Sequence, residues 1–143
     1  MKVIVLYNES YYDKDVREVL TPEAWEQRKL EFLNIQKEEF ENKRVKLSAE
    51  IAEKDKKKKD LIHEADSTLD KERQAKEEGN WAYYKTSQKN RKAYYKLAND
   101  IQWEINRLQN AIDSNSKMTD TEIIEYYMGY NNLSFEEFDV TGV

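Results

Sequence analysis

Four lysines, Lys85, Lys89, Lys92 and Lys96, together with Trp81 and Trp103, are the side chains here whose types and spacing suit a chemical task. At 100° per residue on a helix the lysines fall within one narrow arc, and the tryptophans lie on or beside that arc at opposite ends. The segment 79–99 holds five basic residues and no acidic one. Tryptophan beside basic residues is a frequent anchor composition in protein interfaces. The same set allows a second chemistry, in which the lysines meet phosphates while Trp81, Tyr84 or Tyr95 stacks on bases. For Trp81 a partner contact and a contact within the fold or a dimer both stay open. Trp103 reads as a residue covered by a neighbouring element.

A second basic feature is the run Lys54-Asp55-Lys56-Lys57-Lys58-Lys59. Such runs usually form a solvated helix face. Lys56, Lys57, Lys58 and Lys59 gain interest only if the chain turns nearby, because a basic tip can touch phosphate or an acidic protein surface.

Catalytic chemistry has few candidates. The chain has no cysteine, which excludes thiolate catalysis, disulfides and cysteine-based zinc sites. His63 is the single histidine, and His63-Glu64 lacks the second histidine of a zinc-protease helix. No glycine-rich phosphate loop is present. Glu38-Glu39 and Glu77-Glu78 sit in charged helical faces, where nothing would desolvate a carboxylate and raise its pKa. The expectation is a binding protein without enzymatic activity or cofactor.

The elements that must position these residues follow from composition and periodicity. Charged residues make up 37% of the 143, with three glycines and one proline, which suits long helices and few loops. The net charge of −5 is uneven: residues 54–99 carry thirteen basic and eight acidic groups, and both ends of the chain are acidic. Lys2 to Tyr7 reads as a strand, and Val16, Val19 and Leu20 as a second. Thr21-Pro22-Glu23-Ala24 places an N-cap hydroxyl, a proline at the first helical position and a carboxylate at the positive end of the helix dipole. From Pro22 to Ile112 there is no further proline and only Gly79. Leu33, Phe40, Leu47 and Leu61 share one seven-residue register, and Leu30, Ile51 and Ala65 its neighbour, which is a coiled-coil seam with polar interruptions. In the second half Tyr83, Tyr94, Leu97, Ile101, Ile105, Leu108 and Ile112 form the matching stripe.

A single helix over this span would reach roughly 135 Å, so a fold-back is expected. Ser67 with Asp70 resembles a helix start at the midpoint. It predicts a tip at 64–69, with Leu33 facing Ile101 and Phe40 facing Tyr94. Glu78-Gly79-Asn80 is the competing turn, at the cost of arms of unequal length. Thr119-Asp120-Thr121-Glu122 is a capping box opening a short helix through Met128 with Gly129 as its stop, and residues 135–143 suit a last strand, although Ser134 with Glu137 allows a helical turn first. The expected fold is mainly α (α+β). A long antiparallel coiled-coil hairpin occupies 22–112, and 1–21 with 113–143 build a small three-stranded sheet and short third helix, all in one domain.

Lys2-Val3-Ile4-Val5-Leu6, Val19-Leu20-Thr21-Pro22-Glu23-Ala24-Trp25 and Glu136-Glu137-Phe138-Asp139-Val140 together resemble a small β-β-α-β unit found among uncharacterised proteins of phages and mobile elements. The resemblance covers about a third of the chain, with the hairpin inserted, and brings no functional residues. It implies a three-stranded sheet at the base of the hairpin and a phage-like origin; with the small size and the lack of catalytic residues, the expectation is a protein of the host cytoplasm that binds a host protein or ribonucleoprotein, for example as an anti-CRISPR-like inhibitor. Nucleic-acid binding is the alternative and a structural coiled-coil dimer the third. No segment approaches the roughly 18 apolar residues that would suggest a membrane span.

Overall fold

The computed structural model describes residues 1–141. Its elements are β1 (Lys2–Glu9), β2 (Lys14–Leu20), α1 (Pro22–Glu77), α2 (Trp81–Ser116), α3 (Asp120–Tyr130) and β3 (Leu133–Asp139). The mainly helical hairpin class with a small antiparallel sheet and a third helix is as the sequence predicts. The backbone divides into two compact units, a sheet unit of 1–43 with 115–143 and a hairpin unit of 44–114. The expected division placed all of α1 in the hairpin, whereas residues 22–43 belong with the sheet.

In the sheet unit the strand order is β2-β1-β3, both pairs antiparallel. Ser10 and Asp13 close the first hairpin through paired main-chain and hydroxyl hydrogen bonds. The Thr21 hydroxyl accepts from the Ala24 amide at 3.1 Å and so caps α1 as its sequence requires. Helix α1 then presents Trp25, Phe32, Leu33 and Gln36 as buried residues. Trp25 lies 4.9 Å from the Phe135 ring, Phe32 stacks on Tyr127 at 4.6 Å, and Ile4, Leu6, Met128 and Leu133 complete the core. Arg28 ties α1 to β2 through Glu18 at 2.7 Å.

The capping box of α3 forms as expected, with Thr119 Oγ1 accepting from Glu122 N and Thr119 N donating to Glu122 Oε1. Its stop differs. Gly129 stays helical, α3 runs to Tyr130, and the positive φ of 54° falls on Asn132. Asparagine tolerates that region through its short polar side chain. Strand β3 accordingly begins at Leu133, two residues before the expected start. The final two positions of the expected strand, 142 and 143, lie outside the described residues.

The fold-back is not at 64–69. Helix α1 continues unbroken through Ser67, and the turn is at Glu78-Gly79-Asn80. There Gly79 adopts φ 74°, a conformation open to glycine at little steric cost. The Asn80 amide donates to Ala75 O and the Gly79 amide to Lys76 O, the paired bonds of a Schellman stop. Asn80 Oδ1 then accepts from Tyr83 N, capping α2. The Ser67–Asp70 signature lies instead within a continuing helix, where Thr68 Oγ1 donates back to Glu64 O. The objection of unequal arms disappears because the first six turns of α1 pack in the sheet unit, leaving 44–77 to pair with 81–114.

The register between the arms moves with the turn. Lys54 donates to Glu104 at 2.6 Å, Lys58 to Gln102 at 2.7 Å, Tyr95 to Asp66 at 2.9 Å and Arg91 to Glu72 at 2.7 Å. Paired positions thus sum to 158–163 rather than about 134. Leu33 and Phe40 are not hairpin residues at all; Phe40 packs against Tyr126 at 5.1 Å. The seam of α1 towards the turn is Ala65, Thr68, Glu72 and Ala75, all buried, and that of α2 includes Ser87, Ala98 and Leu108. These positions step by three and four, the spacing of a coiled-coil seam. Tyr83 and Leu97, expected on the inner stripe, are exposed. The inner stripe therefore runs through Arg91, Tyr94, Ala98, Ile101, Ile105 and Leu108.

Arg91 and Glu72 are the charged pair within this seam, and burial makes an unpartnered member costly. Glu72→Lys, which sets a second cation beside Arg91, is expected to lower the midpoint of thermal unfolding of the hairpin. Combining it with Arg91→Glu restores opposite charges, and circular dichroism should show most of the loss recovered. A double variant as unstable as the sum of the singles would place the two side chains apart. At the other end of the hairpin unit, the hydrogen bond from Lys54 lowers the pKa of Glu104, and the same bond raises that of Lys54. The pair therefore weakens in acid, as Glu104 takes up its proton, and in strong alkali, as Lys54 loses its own.

Candidate partner-binding face on the second helix

Helix α2 buries one side in the hairpin seam, so its chemistry lies on the other. Lys85, Lys89, Lys92 and Lys96 are all exposed on that outer side, and none forms an ion pair among the described residues. The local sequence explains why. Lys85, Lys89 and Lys92 have no acidic residue three or four positions away, and the one candidate for Lys96, Asp100, forms no ion pair with it among the described residues.

Trp81 is 58% exposed, with its ring edge-on to Tyr84 at 5.8 Å. Trp103 is 76% exposed, which corrects the expectation that it is covered. Eighteen residues separate it from Lys85, five helical turns, so the two share one angular position about 27 Å apart. Trp103 lines a shallow groove of about 520 Å³ with Glu104, Asn106, Arg107 and Asn110. Sequence reasoning missed all four of these neighbours, of which the last three lie on the lysine arc. The helical wheel that collects the lysines would have found them, since Asn99, Asn106, Arg107 and Asn110 continue the same arc.

Tyr84 and Tyr95 do not join this face. Both are half-buried on the flank towards α1. The Tyr95 hydroxyl donates to Asp66, and that bond, followed by burial and the Asp66 charge, raises its pKa. A ring held in this way is not free to stack on a base.

The lysine run is also displaced from its expected role. With the turn at 78–80, Lys56–Lys59 lie about 30 Å from the tip along α1. Lys58 is half-buried and spans to Gln102, Lys59 pairs with Asp55 at 2.9 Å, and Lys57 approaches Glu53 at 3.9 Å. The hydrogen bond from Lys59, with the charges of Lys59 and Lys58, lowers the Asp55 pKa. Lys56 is exposed and stands on the outer side of α1.

Among the described residues no group of three or more His, Cys, Asp or Glu side chains could hold a metal ion, and no helix is long and apolar enough to cross a membrane. No protein-family model, curated protein or solved structure matches this chain. Charge is segregated between the units. Residues 1–43 with 115–143 carry eight basic and sixteen acidic groups, a net of −8, and residues 44–114 carry sixteen and thirteen, a net of +3.

Proposed function

We propose that the chain is a non-enzymatic protein-binding module that lays the outer face of α2 against an acidic surface of a partner protein. One observation carries this reading. Four lysines without ion-pair partners form a row between two exposed tryptophans about 33 Å apart. Exposed tryptophan is costly in water and is the residue type most often found as an interface anchor, and a row of free cations steers an acidic partner to it. A phage-type inhibitor acting on a host protein or ribonucleoprotein is the setting that the resemblance of the chain ends implies. Nucleic acid is the less favoured partner, because the Tyr95 hydroxyl is bonded to Asp66 of α1, Tyr84 is half-buried and the sheet unit is strongly acidic.

The test begins with capture of a partner from bacterial lysate, with and without nuclease, followed by affinity measurements on the purified pair. Trp103→Ala and Trp81→Ala should leave helicity unchanged and weaken binding by roughly 2 kcal/mol or more each. Reversing Lys85 and Lys92 to glutamate should mainly slow association. Capture abolished by nuclease, with affinity falling log-linearly and steeply with salt, would assign the face to nucleic acid instead.

A further inference from the structure

β1 carries five consecutive apolar residues, Val3 to Tyr7. An antiparallel sheet wet on one side alternates apolar and polar residues, whereas an unbroken apolar run belongs to a strand covered on both faces. Among the described residues only one face of this sheet is covered. Ile4 and Leu6 point into the core with Leu20, Phe135 and Leu133, against α1 and α3. Val3, Val5 and Tyr7 point the other way, and the register sets Val19 beside Val5, Val16 beside Tyr7, and Phe138 beside Val3. On this second face Val16 is 61%, Val19 63% and Phe138 42% exposed. Six apolar side chains on three strands thus share this face, Val3, Val5 and Tyr7 half-buried and Val16, Val19 and Phe138 exposed, with Glu136 set beside Val5 on β3.

Charge borders the patch at the Glu9 end and along its β3 side, where Glu136 stands beside Val5. Glu9 and Glu136 both approach the Lys14 ammonium, at 3.9 and 2.8 Å, and that ammonium sits 4.5 Å from the Tyr7 ring centroid. The hydrogen bond from Lys14 to Glu136 raises the lysine pKa. Two carboxylates therefore share one cation at the border of the patch, within a unit of net charge −8.

We infer that this face docks a basic amphipathic helix of a partner protein. Three strands about 4.8 Å apart make a face about 14 Å wide, which one helix of about 10–12 Å diameter covers. A helix with apolar residues at i, i+3, i+4 and i+7 would bury the valines and Phe138, and its flanking lysines or arginines would meet Glu9 and Glu136. A second copy of this chain fits less well. It would bring a unit of charge −8 against another of −8, with the carboxylates of both copies facing one another. This surface is separate from the outer face of α2, so each can fail without the other.

The probe is a fluorescent synthetic leucine–lysine amphipathic helix of about five turns, titrated with the full chain and read by anisotropy. Controls are the same composition scrambled to remove amphipathicity, and a leucine–glutamate helix. The intact basic helix should bind, both controls should bind at least tenfold more weakly to this face, and Val16→Thr/Val19→Thr/Phe138→Thr should weaken the basic helix about tenfold or more. Threonine keeps strand propensity and the three positions are exposed, so the melting curve of the triple variant should match the parent. Reversing Lys85 and Lys92 should leave this binding intact. Equal binding of the scrambled peptide, or of the triple variant, overturns the proposal. So does a dimer of the parent chain, by light scattering, that the triple variant dissociates; the face would then belong to a second copy.

Discussion

Leu6→Ala should destabilise the sheet unit by about 2–5 kcal/mol, the usual range for removing a fully buried leucine. Leu6 has no exposed surface and sits at the centre of the core between Trp25, Phe32 and Leu133 on the middle strand. Its neighbours belong to a sheet strand and two helices, so the cavity has no single flexible wall that could collapse into it. The measurement is urea unfolding followed by tryptophan emission. Trp25 is buried in this core and its emission shifts on unfolding, while Trp81 and Trp103 are exposed in the folded chain and change little. Leu6 and Trp25 lie in the sheet unit and most helical residues in the hairpin unit, so a tryptophan transition that moves ahead of the helical circular dichroism transition is the expected signature. A loss below about 1 kcal/mol would mean that Leu6 is not the centre of the core.

Ala65→Leu is expected to be the most disruptive single change in the hairpin unit, costing about 1–3 kcal/mol by overpacking. Ala65 is fully buried in the seam with Thr68, Glu72 and Ala75, and the opposing helix also contributes small residues, Ser87 and Ala98. Small side chains on both helices allow close approach, and three added heavy atoms on one side force the arms apart or the leucine off its rotamer. Ala52→Leu is the control: Ala52 is exposed on the same helix, and there leucine should be near neutral. Helical circular dichroism against urea separates the two. If Ala65→Leu is as mild as Ala52→Leu, position 65 does not face α2.

The helix starts at Thr21-Pro22 and Thr119, and the two strands that precede α1, were legible in the sequence. Each rests on hydrogen bonds within a few residues or on a short run of apolar, largely β-branched side chains bounded by turn residues. The outer arc of Lys85, Lys89, Lys92 and Lys96 was legible for the same reason, since a helix fixes which of its residues share a side whatever they pack against. Its extension to Asn106, Arg107 and Asn110 obeys the same wheel and needed only a longer window.

What the sequence by itself determined, then, is the type and order of the elements and the outer lysine arc of α2; the tertiary structure decided where α1 turns, which residues of α2 face inward and where the helix sides meet. Ser67 with Asp70 is a capping signature worth about 1 kcal/mol where it forms. It gives way because Ala65, Thr68 and Ala75 gain more by lying buried in one unbroken seam, while Gly79 alone offers a left-handed stop. The claim of the sheet on Trp25, Phe32 and Leu33 could not be read locally either, and that claim moves the register between the arms by some 25 positions in sum. Heptad spacing on α1 is compatible with both partners, because an apolar stripe records that something covers it and not what. Only the competition among long-range contacts assigns residues 22–43 to the sheet and leaves equal arms for the hairpin.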